Sequence, residues 1–206
     1  MITLYGSGQS RSFRALWALE EAGLQYEYIA MNRELADRDG EAYAKLNSQR
    51  KVPTLVDGEI VLTESAAMVN YLALLSDSDL MPSAPSLRAR YDEICYFIMT
   101  DFEQPLWSIG KHRHALPEEQ RVKGMLATAV WEFNKSLGAL QVHMQGRQLD
   151  TSAFAVGSAF TMADVLLAQT LNWALRFEMS LPDDLVAYRD RMYGRAACAR
   201  ALATIA

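Results

Sequence analysis

ITLYGSGQSRSFRALWALEEAG, residues 2–23, carries a strand, a loop and a helix in quick succession. Ile2–Tyr5 is a short apolar run stopped by Gly6-Ser7-Gly8, the pattern of a buried strand entering a tight loop. From Arg14 to Ala22 apolar residues recur at helical spacing (Ala15, Leu16, Leu19, Ala22), and Gly23 follows as a C-terminal cap. The loop Gly6–Arg14 thus leads from a strand straight into a helix N-terminus. Unpaired N–H groups and the helix dipole favour a negative charge there.

Working outward, Tyr26–Met31 alternates apolar and polar residues and reads as a second strand, and polar Arg33–Asn47 as a loop with an irregular helix. Pro53 opens a strand at Thr54–Val56, Asp57-Gly58 makes a hairpin turn, and Ile60–Leu62 returns. Thr63-Glu64-Ser65 leads into a helix over Ala66–Leu75, apolar at Met68, Val69, Leu72 and Leu75. The order β-α-β-α-β-β-α predicts parallel pairing for strands joined through helices and an antiparallel edge at the hairpin. SDSDLMPSAPS, residues 76–86, is polar, holds two prolines and reads as a linker. Beyond it the spacing predicts only helices: Leu87–Ile109, Glu118–Gln145 opened by Pro117, Met162–Phe177, Asp183–Tyr193 and Ala196–Ile205. The expected fold is an α/β domain over 1–75 followed by an all-α helical bundle over 87–206.

The bulk composition narrows function. The 206 residues are half hydrophobic and carry a net charge of −5, and Lys111–Arg113 is the one short basic cluster. Nucleic acid is therefore not the expected partner. No stretch approaches the ~20 apolar residues of a membrane span, and the N-terminus lacks the pattern of a signal peptide, so a cytoplasmic protein is expected. Cys95 and Cys198 sit in apolar, helix-like contexts and read as buried free thiols. His112-x-His114 is too weak a pattern for a metal, and none is expected.

Four stretches together resemble the glutathione transferase superfamily: LYGSGQSRSFRALWALEEAGL (4–24), KVPTLVDG (51–58), LTESAAMVNYL (62–72) and FTMADVLLA (160–168). The resemblance implies a thioredoxin-like domain that binds glutathione and a helical domain with the second-substrate pocket. The loop is similar to that of serine-type classes and of unclassified bacterial-like relatives. The implied activity is attack of the glutathione thiolate on a hydrophobic electrophile, a detoxification chemistry. A glutathione-dependent isomerase, dehalogenase or peroxidase would use the same thiolate, and a non-catalytic binding or scaffold protein would use the fold alone. The resemblance also implies a homodimer, for which Met68, Tyr71, Tyr91 and Cys95 look available.

Glutathione's thiol, like that of a free cysteine, has a pKa near ~8.5, and lowering it by ~2 units takes ~2.7 kcal/mol of preference for the thiolate. A helix N-terminus supplies part of this, and a hydroxyl donating to the sulfur supplies more. Counted from Tyr5, Ser10 stands where serine-type members carry their catalytic serine. Ser12 is the alternative, activation by the helix N-terminus alone is the third possibility, and either serine could simply cap the helix. No thiol stands in Ser10-Arg11-Ser12-Phe13, so thiol activation is expected rather than disulfide exchange.

Val52-Pro53 resembles the family's cis-proline pair, whose preceding residue presents its backbone to the cysteinyl moiety. Lys51 could meet the glycyl carboxylate as a point charge or could be a solvated surface lysine. Glu64 suits the γ-glutamyl ammonium, and Ser65, at a helix start, suits the carboxylate. Trp107, Ser108 and His112 are the candidates for the second-substrate pocket. Thr161-Met162-Ala163-Asp164 reads as a capping box, with Phe160 and Val165 as its hydrophobic staple, and is assigned to folding rather than catalysis.

Overall fold

The computed structural model describes residues 1–31, 40–144 and 153–206. By compactness it divides into two units, Met1–Met81 with Tyr193–Ala206, and Pro82–Met192.

In the first unit, β1 (Ile2–Gly6) leads through a short loop to α1 (Ser12–Ala22) and then β2 (Tyr26–Ala30). There follow α2 (Gly40–Leu46), β3 (Thr54–Asp57), β4 (Ile60–Leu62) and α3 (Ser65–Leu75). The sheet order is β2-β1-β3-β4. β1 pairs in parallel with β2, which lies across α1, as expected. β3 departs from the expectation, because it follows a helix yet runs antiparallel to β1, with Tyr5 opposite Thr54. The cause lies in the connection. β2 ends at the same end of the sheet where β3 begins, so β3 starts from that end and runs back reversed. The hairpin to β4 is antiparallel as expected. Its loop is Gly58-Glu59, one residue later than the sequence reading, with Gly58 at φ +58°. The expected loop over Arg33–Asn47 lies partly outside the described residues. Its described end forms α2.

α1 begins two residues earlier than its apolar spacing suggests, and Ser12 through Leu19 are buried. Its C-terminus closes on Gly23 at φ +66°, whose N–H reaches the Glu20 carbonyl. The C-terminal helix, Ala196–Thr204, belongs to this unit. Arg195 makes a bidentate pair with Glu21 (2.6 and 2.8 Å), and Arg200 pairs with Glu20 at 2.6 Å. Tyr193 also meets the Trp17 ring edge-on, with centroids 5.3 Å apart. Glu20 and Glu21 therefore act as anchors for the tail as well as ordinary polar residues of α1.

The second unit is helical: α4 (Pro85–Phe97), α5 (Glu103–Gly110), α6 (Gly124–His143), α7 (Met162–Arg176) and α8 (Asp183–Tyr193), which ends at the unit boundary. The tail helix α9 is Ala196–Thr204. The expected single helix Leu87–Ile109 is interrupted by a π-helical turn, Ile98–Phe102, and a second one, Lys111–Ala115, follows α5. Such turns are rare and are frequent at functional sites. Pro117 does not open α6. It precedes a short 3-10 turn, Glu118–Gln120, and α6 starts at Gly124. Arg121 explains the delay: its guanidinium donates to the Leu116 and His114 carbonyls, holding the chain against the preceding turn. The last expected residue of that helix, Gln145, lies outside the described residues. α7 is buried from Met162 through Leu171 and runs through the middle of the unit. A helix buried on all sides is a core helix. Phe102 and Phe133 stack beside it at 5.1 Å.

The capping box forms as read. Asp164, fully buried, accepts the Thr161 N–H (2.8 Å) and hydroxyl (3.2 Å) on one oxygen. Its other oxygen accepts the Ala155 N–H (2.8 Å) and the Tyr188 hydroxyl (2.6 Å). Burial pushes this carboxyl up, and the four donors work in the opposite direction.

Candidate functional site

Three segments of the first unit meet at one end of its sheet, and the strand directions dictate this. β1 ends at Gly6, and the loop Ser7–Arg11 departs from there into α1. Because β3 is antiparallel, its first residue Thr54 lies opposite Tyr5, which brings Val52-Pro53 beside that loop. β4 is reversed again, so its end at Leu62, opposite Leu55, delivers Glu64-Ser65 to the same place. The N-termini of α1 and α3 therefore open at one end of the sheet. The helix dipoles make it favourable to negative charge.

The loop is held by hydroxyls. The Ser10 hydroxyl donates to Ser12 Oγ at 3.0 Å and accepts the Ser12 N–H at 3.2 Å. Ser12 Oγ also accepts the Ser7 N–H at 3.1 Å. Ser12 is fully buried, whereas Ser10 is half-buried. The two serines thus occupy different positions: Ser12 ties the loop from below, and Ser10 lies at its edge. Gly6 is required at the strand end, since an added Cβ would sit 2.8 Å from the Tyr28 ring and 2.9 Å from Ser12 Cβ.

Val52-Pro53 is a cis peptide, as the family resemblance implied. Val52 is half-buried and Pro53 buried, while the Lys51 side chain is exposed. Glu64 is exposed, with φ +67° and ψ +106°. This lies outside the regions open to a residue with a Cβ, at a cost of order 1–3 kcal/mol. The Glu64 side chain does not cap α3, and Ser65, its first residue, is buried. Among the described residues no cluster of His, Cys, Asp or Glu is arranged to hold a metal.

Sequence reasoning overlooked three residues of this region. Arg14 is fully buried at the start of α1, and its guanidinium donates to Ser65 Oγ at 3.4 Å, joining the loop helix to α3. A buried arginine at a position of helical apolar periodicity gives no sign of its role in a single sequence. Tyr43 and Asn47 line the inner side of the Val52 segment, and they come from the polar stretch read as an irregular connection.

The residues expected in the second-substrate pocket belong to the helical unit. Trp107 is half-buried in α5 and Ser108 is buried there. His112 sits in the second π-helical turn, where its Nδ1 accepts the Val122 N–H at 3.1 Å. Cys95 and Cys198 are free and buried, and burial pushes each thiol up to about 12, so neither is a nucleophile. No helix among the described residues is long and apolar enough to cross a membrane.

Residues 1–74 match the family model of the glutathione S-transferase N-terminal domain, and residues 86–196 that of its C-terminal domain. Glutathione S-transferase Z2 of Arabidopsis thaliana is 28% identical over 177 residues, covering 84% of this chain and 76% of its own. The theta class glutathione S-transferase from the citrus canker pathogen Xanthomonas axonopodis pv. citri, solved with glutathione bound, is 30% identical with a TM-score of 0.78. That superposition covers 98% of this chain and 96% of the Xanthomonas one. The nitrogen regulation fragment of the yeast prion protein Ure2p superposes with a TM-score of 0.84 over 98% of this chain and 96% of its own, but at 18% identity, which is a likeness of fold. A thioredoxin-like mixed sheet followed by a helical domain, matched in both parts, means that the chain belongs to the glutathione S-transferase family.

Proposed function

We propose that this chain binds glutathione at the sheet end described above and activates its thiol for attack on a hydrophobic electrophile. The observation that carries the reading is Glu64. A strained, exposed carboxylate directly before a helix start offers an anionic group for an ammonium and N–H groups for a carboxylate, side by side. An α-amino acid end, such as the γ-glutamyl moiety, carries both charges on one carbon. Val52 beside its cis-proline suits the cysteinyl backbone, Lys51 the glycyl carboxylate, and the Ser10 loop the sulfur. The relative from Xanthomonas, which binds glutathione, supports the same reading. Trp107 and His112, which keep accessible surface, would meet the second substrate; Ser108 is buried and is a weaker candidate.

Glu64 separates binding from stability. Glu64→Gly removes both the carboxylate and the backbone strain. We expect unfolding free energy to rise by about 1 kcal/mol. Glutathione affinity should fall by ~1.5–3 kcal/mol, since the ligand ammonium loses its charged partner. Calorimetric titration beside urea denaturation checks both signs. A wild type that takes up no glutathione at millimolar concentration would refute the function.

The homodimer is part of the proposal, on a changed surface. Met68, Tyr91 and Cys95 are buried within the chain, and the Tyr71 hydroxyl is tied to Asp57 at 2.8 Å, so these residues do not form an open apolar face. Among the exposed apolar side chains are instead Leu74 in α3, Tyr96 in α4 and Trp131 and Val142 in α6. Sedimentation at micromolar concentration should give a species near twice 23.1 kDa. Trp131→Glu should shift it toward the monomer.

A further inference from the structure

Two buried side chains bracket the Val52-Pro53 peptide from behind. The Tyr43 hydroxyl donates to the Lys51 carbonyl at 2.6 Å, just before Val52, and lies 2.8 Å from Thr54 Oγ1, just after Pro53. Asn47 Nδ2 makes the same two contacts, at 2.8 Å to the Lys51 carbonyl and 3.1 Å to Thr54 Oγ1. Tyr43 is 4% exposed, Asn47 5%, and Thr54 is fully buried.

The protons of this cluster can be assigned without remainder. Tyr43 gives its only proton to the Lys51 carbonyl and Asn47 gives one of its two, so both lone pairs of that oxygen are used. Asn47 gives its second proton to Thr54 Oγ1, and Thr54 gives its own to Tyr43. The Asn47 side-chain oxygen accepts the Gln49 N–H at 3.0 Å, and the Asn47 N–H donates to the Tyr43 carbonyl at 2.8 Å, so both residues are fixed to the end of α2. A fully satisfied buried network has one arrangement and resists others. Burial raises the Tyr43 phenol above its ordinary value, so the hydroxyl stays neutral and keeps its proton at physiological pH.

We propose that Tyr43 and Asn47 are positioning residues for glutathione, holding the Val52 backbone in the one orientation that can pair with the cysteinyl moiety. The proposal rests on the glutathione-binding reading above. It assigns α2 a part in ligand affinity without touching the ligand or the sulfur. A segment that reaches its competent orientation only part of the time weakens apparent affinity by that fraction. The thiol, activated by the Ser10 loop, is unaffected.

The test uses the full chain, glutathione as the probe, and Tyr43→Phe, with Thr54→Val as a second variant that breaks the same cluster from the other side. Three quantities are read: the dissociation constant by calorimetry, the pKa of the bound thiol by thiolate absorbance, and Tm. For each variant we expect the dissociation constant to rise about five- to tenfold, as for one net hydrogen bond, with the thiol pKa unchanged. A purely structural cluster would lower Tm and leave the dissociation constant alone, and that result overturns the proposal. So does a variant indistinguishable from wild type, or one in which the thiol pKa moves with affinity, because the disturbance would then reach the Ser10 loop. Should Tyr43→Phe not fold, Thr54→Val decides by the same criteria. Failure of the wild type to bind glutathione would refute the parent function instead, and is told apart because no variant is involved.

Discussion

Asp164→Ala is expected to lower the unfolding free energy by about 4 kcal/mol or more. The carboxylate of Asp164 takes four hydrogen bonds, from the Thr161 N–H and hydroxyl, the Ala155 N–H and the Tyr188 hydroxyl, all in a site closed to water. Losing an N-cap interaction alone costs ~1 kcal/mol. Each buried donor left without a partner costs about 1–3 kcal/mol, and the costs overlap because the donors share one acceptor. Against a total stability of about 5–15 kcal/mol, such a loss leaves the helical unit marginal. Asp164→Asn should be nearly as harmful, since its amide N–H₂ would face donors on one side. Tyr188→Phe removes one of the four and should cost only about 1–2 kcal/mol. Urea denaturation followed by tryptophan fluorescence ranks the three variants. Asp164→Ala within 1 kcal/mol of wild type would show that the helix start is held by packing alone.

Ser10→Ala is expected to reduce the rate with a generic electrophile by ~10²-fold at neutral pH, about the loss for one well-placed donor to a developing anion. The structure gives this a definite form. In the resting loop the Ser10 proton points to Ser12 Oγ, and Ser12 already accepts the Ser7 N–H. When a thiolate arrives, Ser10 can turn its proton to the sulfur at the cost of one exchangeable contact, while Ser12 keeps the Ser7 amide. The bound thiol should therefore titrate at higher pH in Ser10→Ala, with glutathione affinity nearly unchanged. Ser12→Ala should do something else. It removes the buried hydroxyl that accepts the exposed Ser7 N–H, so stability falls by about 1 kcal/mol, as for one net hydrogen bond, while the thiol titration moves little. Thiolate absorbance against pH for wild type and the two variants decides between them. An unchanged Ser10→Ala curve beside a shifted Ser12→Ala curve would transfer the role to Ser12, and two unchanged curves would leave the helix N-terminus as the activator.

Much of the fold was open to reading from the sequence because its cues are local. Gly23 closing α1, the Asp57–Gly58 turn signal and the Thr161–Asp164 capping box each place their chemistry within a few residues, so spacing alone identifies them. The site segments were legible for the same reason. A loop between strand and helix, a Val-Pro pair and a Glu-Ser helix start are contiguous motifs, and their residues lie at one sheet end in the structure.

What only the tertiary structure decided depends on partners far along the chain. The direction of β3 follows from which end of the sheet the chain re-enters, and periodicity carries no information about that. Residues read as available for a partner, Met68, Tyr91 and Cys95, are buried, because helical spacing reports that a residue is apolar and not what covers it. The tail helix α9 belongs with α1 through pairs 174 and 180 residues apart, Glu21 with Arg195 and Glu20 with Arg200. Arg14 meets Ser65 across 51 residues, and Tyr43 and Asn47 acquire meaning only where Lys51 and Thr54 fold back onto them. Sequence fixes a motif when its hydrogen bonds close within a turn or a hairpin. Strand direction, burial and the residues that hold a motif in place are set by chain closure over long distances, and are settled only when the whole unit packs.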